Sequence, residues 1–99
     1  MLRYTNGARG MLWCSQVAPG NENALRVRVY GSKAGLDFCQ EQPNHLWFTP
    51  LGQQPRLITR AGNGSGEAAR HATRTPSGHP EGYIEGFAQL YLDVAEQIH

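Results

Sequence analysis

The sequence has almost no excess of charge of either sign and lacks a long apolar run. Nine basic residues stand against eight acidic ones, giving a net charge of +1, and Lys33 is the only lysine. Because no basic cluster is present, there is no electrostatic footprint for nucleic acid or for an anionic membrane. No apolar run approaches the roughly 20 residues that span a bilayer, and the first residues lack the apolar core of a signal peptide. We therefore expect a cytoplasmic protein that binds neither nucleic acid nor membrane.

Cysteine is also scarce, with only Cys14 and Cys39 in the chain. Each lies in a predicted strand among apolar neighbours, where buried free cysteines are common. We expect both to be free thiols. The 99 residues and the 12 glycines with 6 prolines indicate one globular domain, residues 1–99, with many turns. A chain of this length buries roughly 60 to 70% of its unfolded surface, so we expect it to fold alone.

The first 60 residues predict antiparallel strands joined by short turns. Strands are predicted at residues 10–17, 25–30, 36–41 and 45–49, with turn-forming glycine, proline and asparagine between them. In the second of these, Leu25, Val27 and Val29 alternate with polar residues, which directs them to a core. Short connections between successive strands favour a meander.

The C-terminal residues predict an amphipathic helix over 80–98. His79 stands at the cap position, Pro80 suits the first helical position, and Glu81 and Glu85 complement the positive end of the dipole. Apolar residues recur at steps of three and four and share one face; they are Ile84, Phe87, Ala88, Tyr91, Ala95 and Ile98. We expect this face, including Phe87, to be buried against the sheet.

The fold class predicted is therefore α+β, an open and mainly antiparallel sheet of about five or six strands with the C-terminal helix packed on one face. One helix covers only one face of such a sheet. On the other face, Arg26 and Arg28 are either simply solvated or accompanied by a large apolar patch that requires a partner. The residues of that patch would include Met11, Trp13, Tyr30 and Trp47.

Residues 56–72 superficially resemble a nucleotide-binding loop. A dinucleotide fingerprint needs Gly-x-Gly-x-x-Gly between a buried strand and a helix, but the spacing here is Gly62-x-Gly64-x-Gly66. The preceding run, residues 56–60, alternates and is bounded by charge instead of being continuously apolar. We interpret the stretch as a flexible surface loop.

Three longer motifs resemble the Gfo/Idh/MocA family of NAD(P)-dependent oxidoreductases (glucose-fructose oxidoreductase, inositol dehydrogenase, MocA). Residues 78–91, GHPEGYIEGFAQLY, are similar to the family's C-terminal helix, and residues 6–16, NGARGMLWCSQ, to one of its strands. Residues 25–36, LRVRVYGSKAGL, are similar to the hairpin that follows. The three occur in family order and extend over nearly the whole chain.

The resemblance implies a parent with an N-terminal Rossmann domain for NAD or NADP, followed by a domain with an open antiparallel sheet that supplies substrate contacts and the oligomer interface. This chain resembles only the later part of that second domain. The family's glycine-rich loop and its Glu-Lys-Pro motif with the catalytic lysine are absent, and Lys33 matches a turn position. The resemblance thus implies no cofactor site and no catalytic residue in this chain. It also implies that this chain on its own is catalytically inactive.

His79 and Tyr83 are the candidate substrate-binding residues, because the family's substrate cleft lies where the connection meets the helix. The alternative for His79 is a capping role. His71 and His79 with Glu81 and Glu85 do not have the short paired spacing of a structural zinc site, so no metal is expected. Arg60, Arg70 and Arg74 either contact an anionic substrate or are solvated.

The function predicted is the substrate-binding and oligomerisation domain of a sugar or polyol dehydrogenase, forming a homo-oligomer through the sheet face and lacking its Rossmann domain. The alternative is a stand-alone interaction or scaffold protein that dimerises through the open face. A third possibility, a small-ligand binding module, requires a pocket closed by residues 60–79.

Overall fold

A computed structural model describes residues 1–98 of the chain. It contains six strands and two helices. The strands are β1 (Leu2–Arg3), β2 (Arg9–Gly10), β3 (Arg26–Tyr30), β4 (Ala34–Cys39), β5 (His45–Pro50) and β6 (Arg56–Thr59); the helices are α1 (Glu67–His71) and α2 (Tyr83–Ile98). This is a mixed, mostly sheet architecture, and the predicted α+β class is confirmed.

Strands β3 to β6 form the predicted antiparallel meander in the order β3-β4-β5-β6. The turn between β3 and β4 is closed by a hydrogen bond from the Gly31 amide to the Ala34 carbonyl, at 2.9 Å. The turn between β4 and β5 is closed by a hydrogen bond from the His45 amide to the Gln42 carbonyl, at 3.0 Å. This sheet has four strands, and β1 and β2 pair separately as a two-stranded sheet. The expectation of five or six strands in one sheet is therefore corrected.

The predicted strand over residues 10–17 is wrong. Only Gly10 lies in a strand, at the end of β2, and the chain that follows is irregular, with Trp13 74% exposed. A strand exists through its ladder of hydrogen bonds, and residues 11–17 have no partner strand among residues 1–98. Cys14 is consequently exposed and not buried, Cys39 is half-buried in β4, and both thiols are free.

The register divides the meander into two chemically different faces, because side chains alternate along a strand. What we call the apolar face carries Val27, Val29, Leu36, Phe38, Leu46, Phe48 and Ile58, with Arg56 opposite Phe48 at its β6 edge. What we call the mixed face carries Arg26, Arg28, Tyr30, Asp37, Trp47 and Leu57. Val27 and Val29 thus share a face as predicted, but each is about half exposed.

Helix α2 begins at Tyr83, three residues later than predicted. The Tyr83 amide binds the Pro80 carbonyl at 3.2 Å, so residues 80–83 form a turn, and Gly82 is a poor helix former at this point. His79 therefore precedes this turn and is not the helix cap. Among residues 1–98 the elements in contact are neighbouring strands, and α2 does not touch the sheet.

The apolar side chains of α2 are accordingly uncovered. Phe87 is 44% exposed, and Ile84, Tyr91 and Ile98 are more exposed still. The predicted packing of the helix on one face of the sheet is not observed. The physical reason is the path of residues 60–82, which leave the end of β6 and lead α2 to a place where no strand faces it.

No described hydrophobic residue is buried, so the described chain has no core of its own. Its accessible surface is 9179 Å², whereas a compact protein of its mass exposes about 5,600 Å². Its radius of gyration is 18.7 Å, against about 13 Å for a compact 100-residue domain. The expectation that this chain buries most of its surface within itself is therefore wrong, while its ability to fold alone stays a prediction. Within residues 1–98, neither helix has the length and hydropathy that crossing a bilayer requires.

Candidate functional site

The candidate site lies in the connection between β6 and α2. Its first part, the glycine-containing stretch, follows an antiparallel strand and leads into α1, a helix of five residues. The amides of Gly62 and Ser65 are engaged in successive turns, donating to Thr59 and Gly62 respectively. Because a dinucleotide loop joins a parallel strand to a helix whose free amides face the phosphates, this stretch has a different architecture.

Arg60, the residue directly after β6, organises the second part of the connection. Its side chain is only 15% exposed, and its guanidinium points across the end of the sheet. It donates to a side-chain amide, to three main-chain carbonyls and to a carboxylate. These acceptors are Asn44 Oδ1 at 2.9 Å, Thr75 O at 2.9 Å, Pro76 O at 3.3 Å, His79 O, and Glu81 Oε1 at 3.0 Å.

Glu81 completes this cluster from the other side. Its Oε1 atom also accepts a hydrogen bond from the Arg74 amide, at 3.1 Å. The Arg60 main chain is fixed as well, since its amide donates to the Asn44 carbonyl at 2.9 Å. A guanidinium presents its donors in a rigid planar fork, and here the fork joins β6, the turn before β5 and residues 75–81.

His79 lies within this ordered segment with an exposed side chain. Its carbonyl accepts from Arg60 and from Thr75 Oγ1, the latter at 3.2 Å, and its amide donates to Pro76 O at 3.1 Å. Its ring Nδ1 is 3.3 Å from Ser77 O. The main chain of His79 is thus held firmly, while its side chain is exposed.

Tyr83 is 54% exposed at the start of α2. Its ring meets that of Phe87 edge to face, with centroids 4.8 Å apart and planes at 74°, the geometry that aromatic pairs prefer. His79 and Tyr83 are therefore near in sequence but have separate contacts. Their role in binding substrate stays a prediction.

Two clefts open on the meander. The smaller, of about 280 Å³, lies beside the Arg60 cluster and is lined by Asn44, His45, Thr59, Arg60, Ser77 and Gly78. It is partly walled by the connection, as a small-ligand site there would require. The larger, of about 640 Å³, lies at one end of the mixed face. Tyr30, Trp47, Thr49, Pro50 and Leu51 are among its lining residues.

The mixed face carries the other charged cluster. Arg26 binds Asp37 through two parallel hydrogen bonds, of 2.8 and 2.6 Å, and Arg28 lies 3.5 Å from the same carboxylate. The hydrogen bonds from Arg26 lower the pKa of Asp37 below its ordinary value, and the charge of Arg28 adds to the effect. The same pairing raises the pKa of Arg26.

The remaining candidates from the sequence are dispersed. Lys33 lies in the turn between β3 and β4, where its carbonyl accepts from Leu51 at 2.8 Å. Within the part of the chain that the structure describes, no three His, Cys, Asp or Glu side chains are placed to hold a metal ion. Arg70 lies in the last turn of α1. The sequence gives no indication that Arg60 organises the connection, because its partners are 15 to 21 residues away and no local sequence pattern predicts them.

No family model matches the sequence, but related proteins do. An uncharacterised oxidoreductase, YfiI from Bacillus subtilis (strain 168), is 32% identical over 60 residues, which are 61% of this chain and 15% of that protein. An oxidoreductase from Sinorhizobium meliloti has a similar solved structure, with a TM-score of 0.72 and 61% identity, over 93% of this chain and 26% of that one.

An inositol dehydrogenase homologue from Azotobacter vinelandii, solved in complex with NADH and myo-inositol, is also similar. Its TM-score is 0.75 and its identity 36%, over 90% of this chain and 24% of that one. The chain therefore spans about a quarter of the length of these structural relatives.

Proposed function

We propose that this chain, whose resemblance to the Gfo/Idh/MocA oxidoreductases is confirmed by those relatives, is the C-terminal substrate-binding and oligomerisation portion of an NAD(P)-dependent sugar or polyol dehydrogenase. The observation that carries the proposal is the uncovered surface of a chain that aligns with a quarter of several oxidoreductases. A fragment of a larger protein exposes the apolar surfaces that the remainder covers in the whole.

The size of the uncovered surface supports contacts with more than one other part of the protein or its oligomer. The chain exposes 9179 Å², about 3,600 Å² more than a compact protein of its mass. A standard protein–protein interface buries only about 800 Å² per partner. A single copy of the chain docked at such an interface leaves most of the excess exposed, so we assign part of it to further polypeptide and part to an oligomer contact.

The two faces of the meander divide these roles. The apolar face has the composition of a domain core cut open, and we propose that it packs against the rest of a longer polypeptide. The mixed face combines Trp47 and Tyr30 with charged Arg26, Arg28 and Asp37, the aromatic and arginine-rich composition that is enriched at interfaces. We propose that the homo-oligomer forms there.

Substrate contacts are assigned to His79 and Tyr83. Both side chains are exposed at the start of the helical segment, and an imidazole nitrogen and a phenol hydroxyl both form hydrogen bonds with the hydroxyls of a polyol. The Azotobacter homologue was solved with myo-inositol and NADH, which supports a polyol as substrate class here. We assign the cofactor, NAD or NADP, and the catalytic lysine to a Rossmann domain outside these residues, and we place the protein in the cytoplasm.

The test compares the 99-residue chain with the complete polypeptide that its gene encodes. We expect the complete polypeptide to reduce NAD or NADP when given myo-inositol or another polyol, and to form a defined oligomer by light scattering. We expect the 99-residue chain to give no turnover and no heat on titration with either nucleotide. A complete polypeptide that neither binds nucleotide nor oxidises any polyol would refute the assignment.

The alternative of a stand-alone scaffold protein rests on the same open faces. It is distinguished by the behaviour of the 99-residue chain, since a scaffold must form a stable, monodisperse dimer without further polypeptide. A dimer with slow amide exchange along β3 to β6 would favour that alternative over a dehydrogenase portion.

A further inference from the structure

Arg60 joins three separate parts of the chain through one side chain. Its guanidinium reaches Asn44 before β5, the carbonyls of Thr75, Pro76 and His79 in the connection, and the Glu81 carboxylate before α2. The Arg60 side chain is 15% exposed, whereas those of Arg26 and Arg28 are 51% and 48% exposed.

We propose that Arg60 is the positioning residue of the substrate-binding segment, a clamp that fixes residues 75–81 against the end of β6. This rests on the proposed function only in that His79 and Tyr83 are taken to contact substrate. Because the clamp binds the His79 carbonyl, it sets the place from which the imidazole projects. Because it binds Glu81, it also fixes the chain two residues before Tyr83 and α2.

Only arginine makes this set of contacts. Five acceptors surround the guanidinium, and its donors lie in one plane. A lysine at this position keeps the charge for Glu81 but is a compact point charge on a flexible stem, so it cannot serve the three carbonyls and Asn44 together. The Pro76 and His79 carbonyls would keep their bonds from the His79 amide and Thr75 Oγ1, but the bonds that tie them and Thr75 O to the end of β6 would be lost, and the segment loosens.

The clamp also forms a wall of the polar cleft of about 280 Å³. Thr59 and His45 line one side of that cleft, and Ser77 and Gly78 line the other. Arg60 is the residue that holds these two sides together. Loss of the clamp is therefore expected to loosen the cleft and the His79 position at once, while the centre of the meander is unaffected.

The experiment uses the complete protein as its gene encodes it and compares the wild type with Arg60→Lys. Hydrogen exchange is followed by mass spectrometry in peptides covering residues 73–83 and, as a reference, β4 and β5. Each is measured with and without myo-inositol as the probe. The matched control is Arg56→Lys, which changes another arginine of the same strand region whose guanidinium binds the Gln53 side chain.

We expect Arg60→Lys to speed exchange across residues 73–83 about tenfold, since charge-assisted hydrogen bonds of this kind are worth about one factor of ten or more. Exchange in β4 and β5 stays unchanged. The myo-inositol concentration that half-protects residues 73–83 rises by a similar factor. Arg56→Lys has neither effect.

Three results overturn the clamp: fast exchange across residues 73–83 in the wild type, unchanged exchange in Arg60→Lys, or faster exchange with unaltered myo-inositol protection. The last result assigns Arg60 a purely structural role. A failure of the proposed function is recognised separately, because the wild type then shows slow exchange in the segment and no protection by myo-inositol or any other polyol. That outcome supports the role of Arg60 in holding residues 75–81 and refutes a polyol as the ligand.

Discussion

Asp37 lies directly opposite Arg28 in the ladder between β3 and β4, yet it takes its two hydrogen bonds from Arg26, its diagonal neighbour. The diagonal pair is bidentate, the strong geometry for an arginine and a carboxylate, whereas Arg28 stays at 3.5 Å. Asp37 therefore stands between two positive charges on the mixed face. Across β5 its partner in register is Trp47, so charge and aromatic surface adjoin.

This arrangement predicts an acid-sensitive contribution to stability. The hydrogen bonds from Arg26 lower the pKa of Asp37 in the folded state, relative to about 3.9 in an unfolded chain. A lowered folded-state pKa means that the contribution is fully present above the unfolded value and is lost as pH falls through the folded one. We expect the free energy of unfolding to drop below about pH 4 in part through this group.

The check is urea unfolding of wild type and Asp37→Asn between pH 2.5 and 7. The difference between their free energies of unfolding should be largest at neutral pH and should shrink towards acid pH, because protonated Asp37 no longer accepts the charge-assisted hydrogen bonds from Arg26. Glu96→Gln, near the end of α2, serves as the control for a general loss of negative charge. A difference that is constant over the whole pH range would show that Asp37 does not titrate with folding.

Trp47 is the residue on which the proposed oligomer contact is tested. It is 45% exposed on the mixed face, between Asp37 and Leu57 in register. Placing a carboxylate at the centre of an interface desolvates an unpaired charge, so Trp47→Glu should reduce the mass of the complete protein measured by light scattering. Val17→Glu adds the same charge outside the sheet and should leave the mass unchanged. An unaltered mass in Trp47→Glu would exclude this residue from the interface.

The meander could be predicted from the sequence because its signals are local. Alternation in residues 25–30 fixes a strand and its faces, and glycine and proline mark the turns on either side. Residues 10–17 carry equally strong strand composition, but pairing depends on a partner far along the chain or outside it. Composition alone does not supply that partner.

The site was predictable only in outline. The resemblance indicates His79 and Tyr83, of which the first precedes the turn over residues 80–83 and the second ends it. It gave no indication of Arg60, whose acceptors are scattered over residues 44–81 and meet only when the chain folds. The sequence does not locate the start of α2 at Tyr83 for a related reason, since Pro80 suits a first helical position but equally suits a turn over residues 80–83.

Phe87 distinguishes a helix α2 that packs on the sheet from one whose apolar face is exposed. If its ring were buried against the sheet, as the periodicity of the helix predicts, Phe87→Ala would cost about 3 to 5 kcal/mol. In the structure the ring is 44% exposed and contacts Tyr83, so in the 99-residue chain the loss should be limited to about 0.5 to 1.5 kcal/mol for the aromatic pair. If further polypeptide in the complete protein covers α2 as well as the apolar face of the meander, the larger cost should return there. Chemical denaturation of both forms, followed by circular dichroism, measures the two values. The full loss in the 99-residue chain would mean that α2 packs on the sheet in solution, whereas a small loss in both forms would mean that nothing covers this face of the helix.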